Sequence, residues 1–137
     1  MSGLASWVTA RTAVVRAADG SVDAAAARES LRDLGSLYAM AVDAHDVAAL
    51  ELMFSADAAL HRDGEVATGR DEILALLQAS MAGFRRMLHT PETAVVHVAG
   101  ETGAGLATAH AELVTGRGVI VAAHEYEDAF GIVDDDP

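Results

Sequence analysis

The chain has 137 residues, a formal charge of −12 and 52% hydrophobic residues. That length suits one domain with its own core, and the composition argues against a disordered chain. All nine basic residues are arginine and there is no cysteine, so the charge disfavours nucleic acid and anionic membranes as partners, and disulfide and thiolate chemistry are excluded. No apolar run approaches the length of a membrane span, and the N-terminus lacks the apolar core of a signal peptide. The expected location is therefore the cytoplasm.

Residues 2–18 read as an apolar helix carrying Leu4, Trp7, Val8, Val14 and Val15, broken by Asp19-Gly20-Ser21. Trp7 is expected to be a packing anchor. A dimer arm, a lid and a disordered leader are all open for this segment. A long helix is predicted from Ser21 or Asp23 to about Ala44, with Leu31, Leu34, Tyr38 and Ala41 as its buried stripe. His45-Asp46 breaks it, and Asp46 suits the N-cap of a short second helix. Asp43 then lies at a helix C-terminus, where the dipole disfavours an anion. A carboxylate there is either solvated or held against a partner.

Ala58–Arg62 reads as a strand ending in an Asp63-Gly64 turn. Asp71 to Met87 is predicted to be an amphipathic helix with Ile73, Leu74, Leu77, Met81, Phe84 and Leu88 on its apolar face. Asp71 and Glu72 fall in its first turn and Arg85-Arg86 in its last, as the dipole prefers. Strands are predicted over Thr93–Ala99, Ala104–Thr115 and Gly118–Phe130. Pairing Ala99 with Ala104 sets His97 opposite Leu106 and Thr93 opposite His110. A three-residue loop at Gly116–Gly118 sets His110 opposite His124, and a two-residue loop puts them on opposite faces.

Six histidines stand at 45, 61, 89, 97, 110 and 124, with no H-x-H or H-x₃-H pair, so no metal is expected. Gly100–Gly105 lies between strands and is read as a hairpin, not a nucleotide loop.

Tyr38, Asp43, Asp46, Leu50, Phe54 and Asp57-Ala58 form a Y-x₄-D-x₂-D-x₃-L-x₃-F-x₂-D-A pattern. Gly69-Arg70-Asp71-Glu72-Ile73, His89-Thr90, Gly100-Glu101 and Tyr126-x-Asp128 follow in order. This series resembles the SnoaL-like domains of the nuclear transport factor 2-like group, whose enzyme relatives include scytalone dehydratase, bile-acid 7α-dehydratase and ketosteroid isomerase. The resemblance implies an α+β, cone-shaped fold with helices packed on one face of a curved, mainly antiparallel sheet. It covers roughly Leu31 to Phe130, and the domain is placed at residues 21–130, leaving 1–20 as a helical arm or disordered leader and 131–137 as an acidic tail. Related domains continue into one more strand, which this sequence lacks.

The resemblance also implies a site. Asp43 and His89 match the acid/base pair of the dehydratases, and Tyr38 the donor that polarises a substrate oxygen. The physics suits the pair, because imidazole titrates near neutrality and a carboxylate sets its tautomer. Plain alternatives stand beside these roles: His89 as a helix C-cap, and Tyr38 as a core residue. Glu112, His110 and Tyr126 are the expected substrate-binding residues, against a solvent-face reading for the two strand residues Glu112 and His110. The expected activity is a cofactor-free lyase or isomerase acting on an apolar, carbonyl-bearing small molecule such as a polyketide or steroid-like compound. The alternative is a non-catalytic small-molecule-binding or dimerisation module. A homodimer is expected, as this fold often pairs through its sheets.

Overall fold

The computed structural model describes residues 3–132. Four helices, a short hairpin and a long three-stranded sheet follow one another along the chain. They are α1 (Gly3–Arg11), α2 (Ala24–Asp43), α3 (Val47–Glu51), β1 (Ala59–Arg62), β2 (Glu65–Thr68), α4 (Arg70–Ala82), β3 (Arg86–Ala99), β4 (Thr102–Thr115) and β5 (Gly118–Gly131). The fold is α+β, with helices on one face of an antiparallel sheet in the order β3-β4-β5.

Local chemistry sets the helix ends. The Asp23 carboxylate accepts from the Ala26 N–H, and Asp46 does the same for Ala49, so each caps the helix it precedes. Between α2 and α3, His45 takes the left-handed conformation (φ 53°) and turns the chain through two residues. In the β1–β2 turn, Asp63 (φ 52°) and Gly64 (φ 80°) both have positive φ, as a tight two-residue hairpin requires.

The core lies between the helices, the hairpin and the near end of the sheet. Val8, Leu37, Val42, Leu50, Ile73 and Met81 fill it, and Met87 reaches in from β3. The N-terminal segment is therefore part of the fold: Ala5 and Val8 of α1 are buried to within 1%. Arg11 adds an ion pair to Asp33 of α2 at 2.6 Å. The anchor is Val8 and not Trp7, which is 62% exposed; Val14 and Val15 are exposed as well.

Two expectations for the middle of the chain are corrected. The fourth helix ends at Ala82, not Met87. Gly83 caps it, and the Arg85 N–H already donates to Val114 of β4. Leu88 therefore lies on the outer face of the sheet, 53% exposed, and takes no part in a helical stripe. The first long strand begins at Arg86, seven residues before the expected Thr93. Pro91 hid this start, but β3 is an edge strand and carries a bulge between Pro91 and Thr93, the two settings in which a strand tolerates proline. Strand β2 was not anticipated.

The first hairpin register differs from expectation, and the second takes one of the two alternatives left open. Only Gly100 (φ 59°) and Glu101 separate β3 from β4, so Ala99 pairs with Thr102, His97 with Ala104 and Thr93 with Thr108. A two-residue loop, Gly116-Arg117, joins β4 to β5. His110 pairs with Ala123 while His124 pairs with Ala109, which puts the two histidines on opposite faces. The expected acidic tail falls mostly at residues 133–137, outside the described residues.

Since α1 closes the core, Val8→Ala is expected to cost about 2 kcal/mol. Trp7→Ala, at an exposed position, is expected to change stability by about 0.5 kcal/mol or less. Urea unfolding of the two variants measures both values.

Candidate functional site

The last residue of α2 supplies the first group. The Asp43 carboxylate points from the helix end onto β3 and takes three contacts from one residue. It accepts the His89 backbone N–H at 2.9 and 3.1 Å and lies 2.6 Å from His89 Nδ1. The edge position of β3 makes this possible, because the ladder to β4 leaves the His89 N–H free to turn toward the helix. Both side chains are largely buried, 12% exposed for His89 and 19% for Asp43. An anion at a helix C-terminus costs about 0.3–1 kcal/mol, whereas each hydrogen bond to a charged group contributes about 1.5–3 kcal/mol. The His89 contacts outweigh the dipole.

The pairing also fixes the histidine. An ionised carboxylate only accepts, so Nδ1 carries the hydrogen and donates it. In the neutral ring Nε2 is then a bare lone pair, the form that can remove a proton.

The inner face of the sheet carries the rest. Small residues line the middle strand there: Ala109 is 6% exposed and Ala111 fully buried. His89 pairs with Ala111, and Ala111 with Ala122; one step along, Ala109 pairs with His124. No inner-facing side chain larger than alanine therefore stands on β4 between His89 and His124. Their rings lie 5.7 Å apart at 30°, and Tyr126 continues the row 6.0 Å beyond His124 at 29°. Tyr38 faces this row from α2 and packs edge-on against Phe54 at 6.4 Å.

Burial sets the charge states. It pushes the Tyr38 phenol up to about 12, helped by Tyr126 and opposed by Arg62. Tyr126 is raised by burial and then by Asp128. Both phenols therefore remain hydrogen-bond donors at neutral pH. Burial lowers His124, and the neighbouring His89 lowers it further, which keeps that ring neutral. Asp128, on the same face of β5, is raised by desolvation. Arg62, held by Ser80 at 2.5 Å, acts on Tyr38, His124 and Tyr126 from the β1–β2 hairpin.

Of the residues anticipated from the sequence, Asp43, His89, Tyr38 and Tyr126 come together here. His89 belongs to a strand, so its reading as a helix C-cap is withdrawn. Glu112 and His110 do not join the cluster. The β4 register turns both to the outer, exposed face, where His110 pairs with Glu92 at 2.8 Å. Their expected place beside the acid/base pair is corrected for that reason. His124 was missed. Its Nε2 is buried and has no hydrogen-bond partner among the described residues. The only sequence signal for it was the length of the β4–β5 loop.

Comparison with known proteins gives this arrangement a family. The SnoaL-like domain matches residues 23–136, most of the chain. The chain belongs to the SnoaL-like domain family. Solved structures share the fold of this SnoaL-like domain. One is a putative scytalone dehydratase from Novosphingobium aromaticivorans, 19% identical, TM-score 0.70, covering 78% of this chain and 74% of that one. A second is a hexachlorocyclohexane dehydrochlorinase from Novosphingobium barchaimii, 21% identical, TM-score 0.72, covering 80% and 78%. A third, from Mycobacterium tuberculosis and of unknown function, is 23% identical with TM-score 0.68, covering 76% of this chain and 62% of that one. A search of the curated proteins returns no match. Among the described residues of this SnoaL-like domain, no helix is long and apolar enough to cross a membrane.

Two outcomes check the electrostatics of the SnoaL-like domain. Asp43→Ala leaves the His89 donors without their acceptor and is expected to cost about 2–3 kcal/mol in urea unfolding. Asp128 holds its proton more tightly folded than unfolded. Its contribution is therefore fully present below the unfolded pKa near 3.8 and is lost as pH rises through the raised folded value. Asp128→Asn is expected to raise the melting temperature at pH 7 and not at pH 3, as read by thermal scans at the two pH values.

Proposed function

We propose that this chain is a cofactor-free acid/base lyase or isomerase of dehydratase type, acting on an apolar, carbonyl-bearing small molecule. One observation carries the proposal: the largely buried Asp43 carboxylate 2.6 Å from His89 Nδ1. Two of the structural neighbours bear the names of eliminations, a dehydratase and a dehydrochlorinase, which supports the same reaction class.

The chemistry follows from the groups present. His89 Nε2 removes a proton from the carbon beside the carbonyl. The C–H electron pair becomes the new C=C bond as the C–O bond to a β-hydroxyl breaks. The imidazolium then returns the proton to the departing hydroxide, which leaves as water. Asp43 stabilises the imidazolium between the two transfers. Tyr38, a neutral donor with its pKa near 12, hydrogen-bonds the carbonyl oxygen where charge develops. An isomerase would use the same first step and return the proton to carbon.

A panel of β-hydroxy ketones led by 3-hydroxy-1-tetralone tests the reading, since dehydration of that compound gives fluorescent 1-naphthol. The wild type is expected to convert at least one member. Asp43→Asn and His89→Gln are each expected to lower kcat by roughly 10²–10⁴-fold. Full turnover in both variants, or no conversion across the panel, sinks the catalytic reading and leaves a binding module.

A homodimer through the outer sheet face is part of the same proposal. Leu88, Val95, Leu106, Val119 and Val121 are each more than half exposed there, an apolar surface of the kind that marks interfaces. Leu106→Asp with Val121→Asp is expected to turn a dimer into a monomer in light scattering, with an unchanged circular dichroism spectrum.

A further inference from the structure

We propose that His124 is a second ligand-contacting residue of this site, whose Nε2 hydrogen-bonds an uncharged oxygen of the substrate beside the ring that moves the proton. The inference rests on the acid/base reading above and deepens it.

Three observations meet at this residue. Its Nε2 is buried without a hydrogen-bond partner among the described residues, whereas native folds pair nearly all such groups. The ring is stacked between His89 and Tyr126, at 5.7 and 6.0 Å, so it borders the acid/base pair directly. Beneath the rings, the inner-face residues of β4 are Ala109 and Ala111, so no larger β4 side chain separates His89 from His124.

The chemistry narrows what His124 takes. Among the described residues, no group of three or more His, Asp or Glu side chains is placed to hold a metal ion. His89 and His124 alone fall short of the three protein ligands of a catalytic zinc site. Among the described residues no carboxylate hydrogen-bonds His124, unlike His89 and His110. A ring kept neutral by burial and by His89 offers a hydrogen bond without a charge. Its match is a neutral hydroxyl or carbonyl oxygen on an otherwise apolar ring, not a carboxylate or phosphate. The two histidines thereby divide the work: His89, oriented by Asp43, transfers the proton, and His124 donates from Nε2–H to one lone pair of the carbonyl oxygen whose other lone pair Tyr38 takes.

The test uses 1-tetralone, which has the carbonyl but no leaving group, and tetralin, the hydrocarbon of the same shape. Binding of each is followed by nitrogen-15 NMR of the imidazoles in the full chain. In the wild type, 1-tetralone is expected to move the His124 Nε2 resonance and tetralin is not. His124→Phe keeps a stacked ring and removes the nitrogen. It is expected to weaken 1-tetralone about tenfold or more, as loss of one buried hydrogen bond does. Tetralin affinity and the Asp43–His89 Nδ1 proton signal should stay unchanged. His124→Gln restores a hydrogen-bonding group and is expected to recover part of the affinity. Equal 1-tetralone binding by the wild type and both variants overturns the proposal. So does a wild-type His124 resonance that 1-tetralone does not move. Neither readout needs turnover, so failure of the acid/base reading in the β-hydroxy ketone panel is distinguishable from failure of this contact.

Discussion

The site depends on a carboxylate placed where a helix would rather not have one. Asp43 closes α2 with its charge at the negative end of the helix dipole, and only the donors of His89 make that position favourable. The backbone N–H and the ring are bound by the same carboxylate. The helix end is thus fastened to the sheet edge, and the imidazole is fixed in one orientation by the same contacts. Structure and site geometry are carried by one interaction, so a change at Asp43 alters the packing of α2 on β3 together with the orientation of the His89 ring.

The remaining architecture serves to hold that contact at the edge of an apolar interior. The core of Val8, Leu37, Leu50, Ile73 and Met81 fixes α2 against the other helices, and Met87 carries the same packing onto the strand two residues before His89. The alanines of β4 act differently. They stabilise little by burial, but they keep the inner face low between two strands that carry large rings. Around this floor stand two phenols and one neutral imidazole, with the Asp43–His89 pair at the edge.

Much of this was legible in the residues. The break at His45-Asp46 gave the end of α2 and so the position of Asp43, because Asx capping and a left-handed turn are local effects. The order of the SnoaL-like pieces gave the fold and paired Asp43 with His89 before any distance was known. What the sequence hid was parity. Which face a strand residue occupies depends on two loop lengths and a bulge, and an error of one residue in any of them inverts the answer. Glu112 and His110 turned out to face away, and His124 to face inward, for that reason alone. Pro91 concealed seven residues of β3, because a proline reads as a strand breaker unless its edge position is known. The role of α1 was hidden too, since nothing in its composition told Val8 from Trp7.

Helix α1 has a consequence for what counts as the domain. The family match begins at residue 23, while Ala5 and Val8 lie wholly inside the core. The stretch that the family model matches is thus smaller than the unit that folds. A protein trimmed to the matched stretch would open the flank of α2 and α3 to water, and α2 is the helix that carries Asp43.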